Sequence, residues 1–173
     1  MSRFLSKASE SLLPYTPGEQ PQGRKFIKLN TNECPYPPAP GVEKRAKELC
    51  VDRLRLYPNM DAAELVAAIA DYYKVKESEV FVGVGSDDVL GMAFMTFFNS
   101  DKPILFPDIT YSFYKVWADL FQVPYETPAL DEDFRIRPED YYRENGGVIF
   151  PNPNAPTGLL LSLDAVEDIL KHN

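Results

Sequence analysis

Apolar residues in this chain recur with two different periods, and the switches between them mark out its elements. Residues 79–84 form a short, nearly unbroken apolar run, which predicts a strand buried on both faces. Gly83 and Gly85 interrupt that run. Leu90, Ala93, Phe94, Phe97 and Phe98 then return at helical spacing among few charges, which predicts a largely buried helix. Further strands are predicted over 103–106, 124–127 and 147–150. Between them, Phe113, Trp117, Leu120 and Phe121 predict a helix over 110–122, and 138–143 reads as a weaker one. Ser162 opens a last helix with Leu163, Val166 and Leu170 inward. Nearer the start, Asp61 and Glu64 have the spacing of a capping box, ahead of a stripe of Leu65, Val66, Ile69 and Tyr73. A helix from Gly41 would place Val42, Ala46, Leu49 and Cys50 on one face, with 56–59 ending it. The first 40 residues are proline-rich, with 26–29 as the one strand candidate, and predict an extended arm laid across another surface.

Strands alternating with helices predict an α/β fold, a mainly parallel sheet covered by helices on both faces. In such sheets ligands bind beyond the carboxyl ends of the strands. Three unusual loops fall at such ends: 83–88, 107–111 and 151–158. In the first, two glycines let the backbone turn sharply just before a helix whose leading amides have no partner within it. With the helix dipole added, that turn suits a small anion such as phosphate, although Ser86 or Asp87 serving only as a helix cap explains the same residues. Neither the dinucleotide fingerprint nor a nucleotide P-loop is present: Asp88 stands where the third glycine belongs, and no Gly-Lys-Ser/Thr closes the turn. The second loop supplies Tyr111, Phe113 and Tyr114, and the third a rigid Pro/Asn segment. Together they suit a flat aromatic ligand that carries a phosphate.

Charge narrows the partners. A net charge of -8 over 173 residues argues against nucleic acid or an anionic membrane surface. Cys34 and Cys50 fit neither a disulfide framework nor a metal spacing, and the single histidine, His172, leaves little material for a Ser-His or His-metal centre. No signal peptide or membrane-length apolar run is read, so the expected location is the cytoplasm.

Five stretches now fall into a pattern: Leu13-Pro14-Tyr15-Thr16-Pro17-Gly18, Leu29-Asn30-Thr31-Asn32-Glu33-Cys34-Pro35-Tyr36, Arg55-Leu56-Tyr57-Pro58, Gly83-Val84-Gly85-Ser86-Asp87 and Pro153-Asn154-Ala155-Pro156-Thr157-Gly158. In this order they resemble the pyridoxal-phosphate aminotransferases of fold type I, and among them are similar to the histidinol-phosphate aminotransferases. The resemblance spans almost the whole chain. It implies pyridoxal 5'-phosphate as cofactor, with Gly85, Ser86 and Asp87 at its phosphate and Tyr111 stacked on its ring. It also implies a homodimer in which Tyr57 reaches the phosphate bound by the neighbouring subunit. Tyr15, Asn32 and Tyr36 would line the site of a phosphorylated, amino-acid-like substrate.

Residues 1–53 would then be the arm and first helix, part of a small domain, and 54–173 the first part of the large, cofactor-binding domain. The implied reaction is amino transfer from L-histidinol phosphate to 2-oxoglutarate. Transfer from aromatic amino acids, decarboxylation of phosphorylated threonine, and a non-catalytic segment that binds a phosphate or partner chain are the alternatives. Two departures stand out. The asparagine that usually precedes Pro-Thr-Gly is Ala155 here, so its bond to the cofactor's phenolic oxygen passes to Asn154, with Asn152 as the fallback. The lysine that links to the cofactor, the aspartate under its ring nitrogen and the substrate-carboxylate arginine are expected beyond Asn173. A chain without them should be inactive alone and should leave apolar sheet edges open.

Overall fold

The computed structural model describes residues 4–10, 12, 18–19, 23 and 26–173. The chain divides into two compact units, one formed by 81–173 with the described residues of 1–13, the other by 14–80.

The first unit is built on β1 (Ile104–Leu105), which pairs in parallel with β2 (Tyr125–Glu126) and, on its other side, with Val148. The Ile104 amide donates to the Pro124 carbonyl at 2.9 Å. The Leu105 amide donates the other way, to Gly147, at 2.8 Å. Successive side chains of a strand point to opposite faces. Ile104 and Phe106 accordingly pack with Phe94, Tyr114, Ala118 and Val123, and Leu105 packs with Tyr141 and Ile169 on the reverse. Helices α4 (Ser86–Phe97) and α5 (Phe113–Phe121) therefore cover one face, and α6 (Leu163–Lys171) with the 3-10 turn Pro138–Tyr141 covers the other. The fold is α/β with a parallel sheet, as the alternation of periods implied.

Several local expectations are corrected. Residues 79–84 make no ladder among the described residues, and Phe81 and Val84 are exposed. An apolar run reports a wish for burial, but a strand exists only where a neighbour takes its backbone groups. Residues 26–29 fail likewise, with Ile27 and Leu29 exposed. Helix α4 is buried through Gly91 and Phe94, yet Met92, Met95 and Phe97 lie on an uncovered flank, Phe97 at 71% exposure. On α6 the inward residues are Val166 and Ile169, while Leu163 and Leu170 face outward. The expected cap at Ser162 forms, its hydroxyl accepting from the Ala165 amide at 3.2 Å. The segment 148–150 is bonded only on its β1 side among the described residues, an open edge of the expected kind.

The second unit carries α2 (Pro40–Lys47), the 3-10 turn Val51–Arg55, α3 (Ala63–Tyr73) and the 3-10 turn Glu77–Glu79. The Asp61 capping box is not made: Ala62 occupies the cap position with φ +47°, so Asp61 lies one residue too early. Val66, Ala67, Ile69 and Ala70 turn inward on α3, whereas Leu65 and Tyr73 are exposed. A short helix α1 (Lys7–Glu10) belongs to the first unit.

Candidate functional site

The glycine turn that precedes α4 owes its shape to two different demands. Gly85 has φ +90°, a conformation that L side chains rarely adopt. Gly83 is needed for space: a Cβ there would come within 2.7 Å of Asp88 Oδ2. That carboxylate accepts from the Val84 amide at 3.1 Å, reaching back over the turn from inside the helix. The amides of Ser86, Asp87 and Asp88 donate to no acceptor among the described residues. Three convergent donors at the positive end of a helix are what an anion requires.

Asp87 would place a charge of the wrong sign at such a site, but its side chain is engaged elsewhere. The Tyr111 hydroxyl donates to Asp87 Oδ1 at 2.5 Å. The Tyr111 ring lies nearly parallel to Phe113, at 23° and 6.0 Å between centroids, and meets Tyr114 edge-on at 5.6 Å. One hydrogen bond thus ties the aromatic loop to the glycine turn.

A second set of bonds ties the aromatic loop to the Pro/Asn loop. Asn154 is 2% exposed. Its Oδ1 accepts from Thr110 Oγ1 at 2.8 Å, and its Nδ2 donates to the Ile109 carbonyl at 3.0 Å and to Thr157 Oγ1 at 3.3 Å. Both amide protons are therefore used inside the protein. Asn152 is exposed, and its side-chain amide donates to the Leu161 carbonyl at 3.0 Å and accepts from the Leu161 amide at 2.9 Å, with one amide proton left over. Thr110 and Thr157, which sequence reasoning passed over, complete this frame. The signal for them was the density of Thr and Asn in two proline-flanked turns, where such side chains bond nearby backbone.

The three loops singled out in the sequence are thus tied in series within one unit: Tyr111 bonds Asp87 of the glycine turn, and its neighbours Ile109 and Thr110 bond Asn154, which itself lines a separate cavity with Phe134, Arg135 and Ile136. Tyr57, Asn32 and Tyr36 belong to the other unit. Tyr57 is 90% exposed and lines a cavity of about 620 Å³ with Arg45, Arg53 and Leu54. Asn32 is exposed with φ +49°, a conformation asparagine tolerates better than most residues, and Tyr36 is exposed. Tyr15 lies outside the described residues. Among the described residues no cluster of metal-ligating side chains occurs, and no helix is long and apolar enough to cross a membrane.

The family is shown by the sequence: residues 24–173 match the family of aminotransferases of class I and II, and the chain belongs to that family. It is 54% identical over its full length to histidinol-phosphate aminotransferase 1 of Hydrogenovibrio crunogenus. Over 99% of its length it is 54% identical to histidinol-phosphate aminotransferase of Pseudomonas syringae, and over all of it 48% identical to that of Clostridium beijerinckii. The chain spans about half the length of these relatives, 49%, 49% and 48% respectively. Among solved structures, a provisionally assigned histidinol-phosphate aminotransferase from Erwinia carotovora atroseptica superposes with a TM-score of 0.71. The match covers 82% of this chain and 42% of that one at 19% identity. At that identity the likeness establishes the fold alone.

Proposed function

We propose that this chain supplies the phosphate- and ring-binding part of a pyridoxal-phosphate-dependent aminotransferase that acts on L-histidinol phosphate, with 2-oxoglutarate as acceptor. The observation that carries the proposal is the pairing, in one unit, of the unspent amides of Ser86, Asp87 and Asp88 with the Tyr111 ring, joined by the Tyr111–Asp87 bond. These residues fit pyridoxal phosphate, which needs an anion cradle and a flat apolar support a few ångströms apart. When bound, the cofactor supplies an electron sink for the bonds around the substrate's amino-bearing carbon.

The roles assigned to this chain are binding and orientation. Gly85 opens the turn, and the Ser86 and Asp87 amides with the Ser86 hydroxyl hold the phosphate. Tyr111 fixes the plane of the ring. Asn154 orders both neighbouring loops, and it would reach the ring's phenolic oxygen only by releasing Ile109 or Thr157; Asn152 keeps an amide proton for that purpose. Tyr57 would serve the neighbouring subunit of a homodimer, and Tyr15, Asn32 and Tyr36 the phosphorylated substrate. Identity near 50% to several histidinol-phosphate aminotransferases supports this substrate over aromatic amino acids.

The test is amino transfer by the complete protein that carries this segment. The expected result is kcat/KM for L-histidinol phosphate at least tenfold above that for phenylalanine. Equal or better use of phenylalanine would refute the substrate assignment.

A further inference from the structure

The bond between Tyr111 and Asp87 poses a problem that a simple platform role for Tyr111 leaves unsolved. A stacking ring needs no hydroxyl, and an anion cradle is harmed by a carboxylate at its second helical position. Asp87 nevertheless occupies that position, half-buried, and forms no ion pair among the described residues. Carboxylates at helix N-termini are drawn to the free amides there. Left to itself, the Asp87 side chain would turn inward and fill the cradle with its own negative charge. The other acid of the first turn, Asp88, is already committed to the Val84 amide. What holds Asp87 aside is the Tyr111 hydroxyl, whose 2.5 Å approach is typical of a hydroxyl donating to an ionised carboxylate.

We propose that Tyr111 is a positioning residue for the anion turn as well as a ring platform: its hydroxyl holds the Asp87 carboxylate away from the Ser86–Asp88 amides and so keeps them open for a phosphate. The inference rests on the phosphate assignment above and adds a regulating contact to it. It makes Asp87 neutral in effect toward the phosphate only while the Tyr111 hydroxyl is present. The Tyr111 ring is itself held by Phe113 and Tyr114, so its hydroxyl has a fixed direction. A carboxylate released to within about 5 Å of the bound phosphate opposes it by roughly fourfold in affinity at the dielectric of water and by roughly a few hundredfold at an effective dielectric of about 20, and a loss of about tenfold lies toward the solvated end of that range.

The experiment measures dissociation constants of the full chain for pyridoxal phosphate and for pyridoxal, which lacks the phosphate, together with melting temperatures of the ligand-free protein. Tyr111→Phe is expected to weaken pyridoxal phosphate about tenfold and pyridoxal hardly at all. Adding Asp87→Asn in the same chain is expected to restore the lost affinity, a rescue that a purely structural role for the hydroxyl would not show. In the ligand-free protein the two substitutions should shift the melting temperature by less together than the sum of their separate shifts, since both break the same bond. Equal weakening of both ligands, failure of the rescue, or additive melting shifts would overturn the inference. A wild-type chain that binds pyridoxal as tightly as pyridoxal phosphate, with the melting shifts still coupled, would instead overturn the phosphate assignment while upholding the bond.

Discussion

Asn154→Ala is the substitution that best tests how the three loops are held. The side chain is 2% exposed and makes three hydrogen bonds, two of them at 3.0 Å or less, to residues 44 and 45 positions away in sequence. A neutral buried hydrogen bond contributes about 1 kcal/mol net, and a partner left unsatisfied in the interior loses more. Thr110 can rotate its hydroxyl toward another acceptor and Thr157 still donates to the carbonyl of residue 154, but the Ile109 carbonyl loses its donor with no freedom to turn, which puts the total at roughly 2–4 kcal/mol. For a chain of this size that corresponds to a fall in Tm of roughly 5–15 °C. The assay is thermal and urea unfolding, with Asn152→Ala as the comparison. Asn152 has the same side chain in the same loop and two hydrogen bonds, but at an exposed position, so its loss should cost no more than about 1 kcal/mol. Asn154→Asp is a shape-preserving second probe: it keeps the acceptor for Thr110 but turns a carboxylate oxygen, itself an acceptor, against the Ile109 carbonyl, and should be at least as damaging at neutral pH. If Asn154→Ala costs no more than Asn152→Ala, the frame described here does not hold the loops together.

Two further outcomes follow from packing and from titration. Gly147→Ala should cost about 2 kcal/mol or more, because its φ is +143° and a Cβ would lie 2.6 Å from Phe98 Cε1. Gly41→Ala, in α2 with open space around it, should instead stabilise slightly, and denaturant midpoints of the pair would expose a wrong assignment by reversing that order. In alkali, burial pushes the Tyr114 hydroxyl up to about 12, and the hydrogen bond to Asp168 does the same for Tyr142, from ordinary values near 10. Burial raises Tyr141 as well. Between pH 10 and 12 the unfolded chain has therefore released protons that the folded chain keeps. The stability these groups contribute is complete below pH 10 and is lost as the pH rises toward 12. The urea midpoint should fall across that window, with phenolate absorbance growing in step with unfolding. A midpoint that stays level from pH 10 to 12 would contradict it.

What the sequence determined by itself is the class of the fold and the position of its glycine turn and its last helix cap. Alternating periods implied parallel strands with helices on both faces, and β1 bears this out by sending Ile104 and Leu105 to opposite cores. Local signals that involve only neighbours along the chain, such as the Ser162 cap and the turn at Gly83 and Gly85, were legible because their physics is complete within a few residues. The tertiary structure alone decided which apolar segments became strands, since 79–84 and 26–29 have the pattern of strands but lack partners for their backbone groups among the described residues. It also decided which face of a helix is inside: Ile169 rather than Leu170 meets Tyr141, a choice of about 100° that composition cannot make. The two ties that gather the candidate site, Tyr111 to Asp87 and Asn154 to Ile109 and Thr110, join residues 24 to 45 positions apart. Each partner is an ordinary turn or helix residue until packing brings the other within hydrogen-bonding reach, so pairing of this kind is written only in three dimensions.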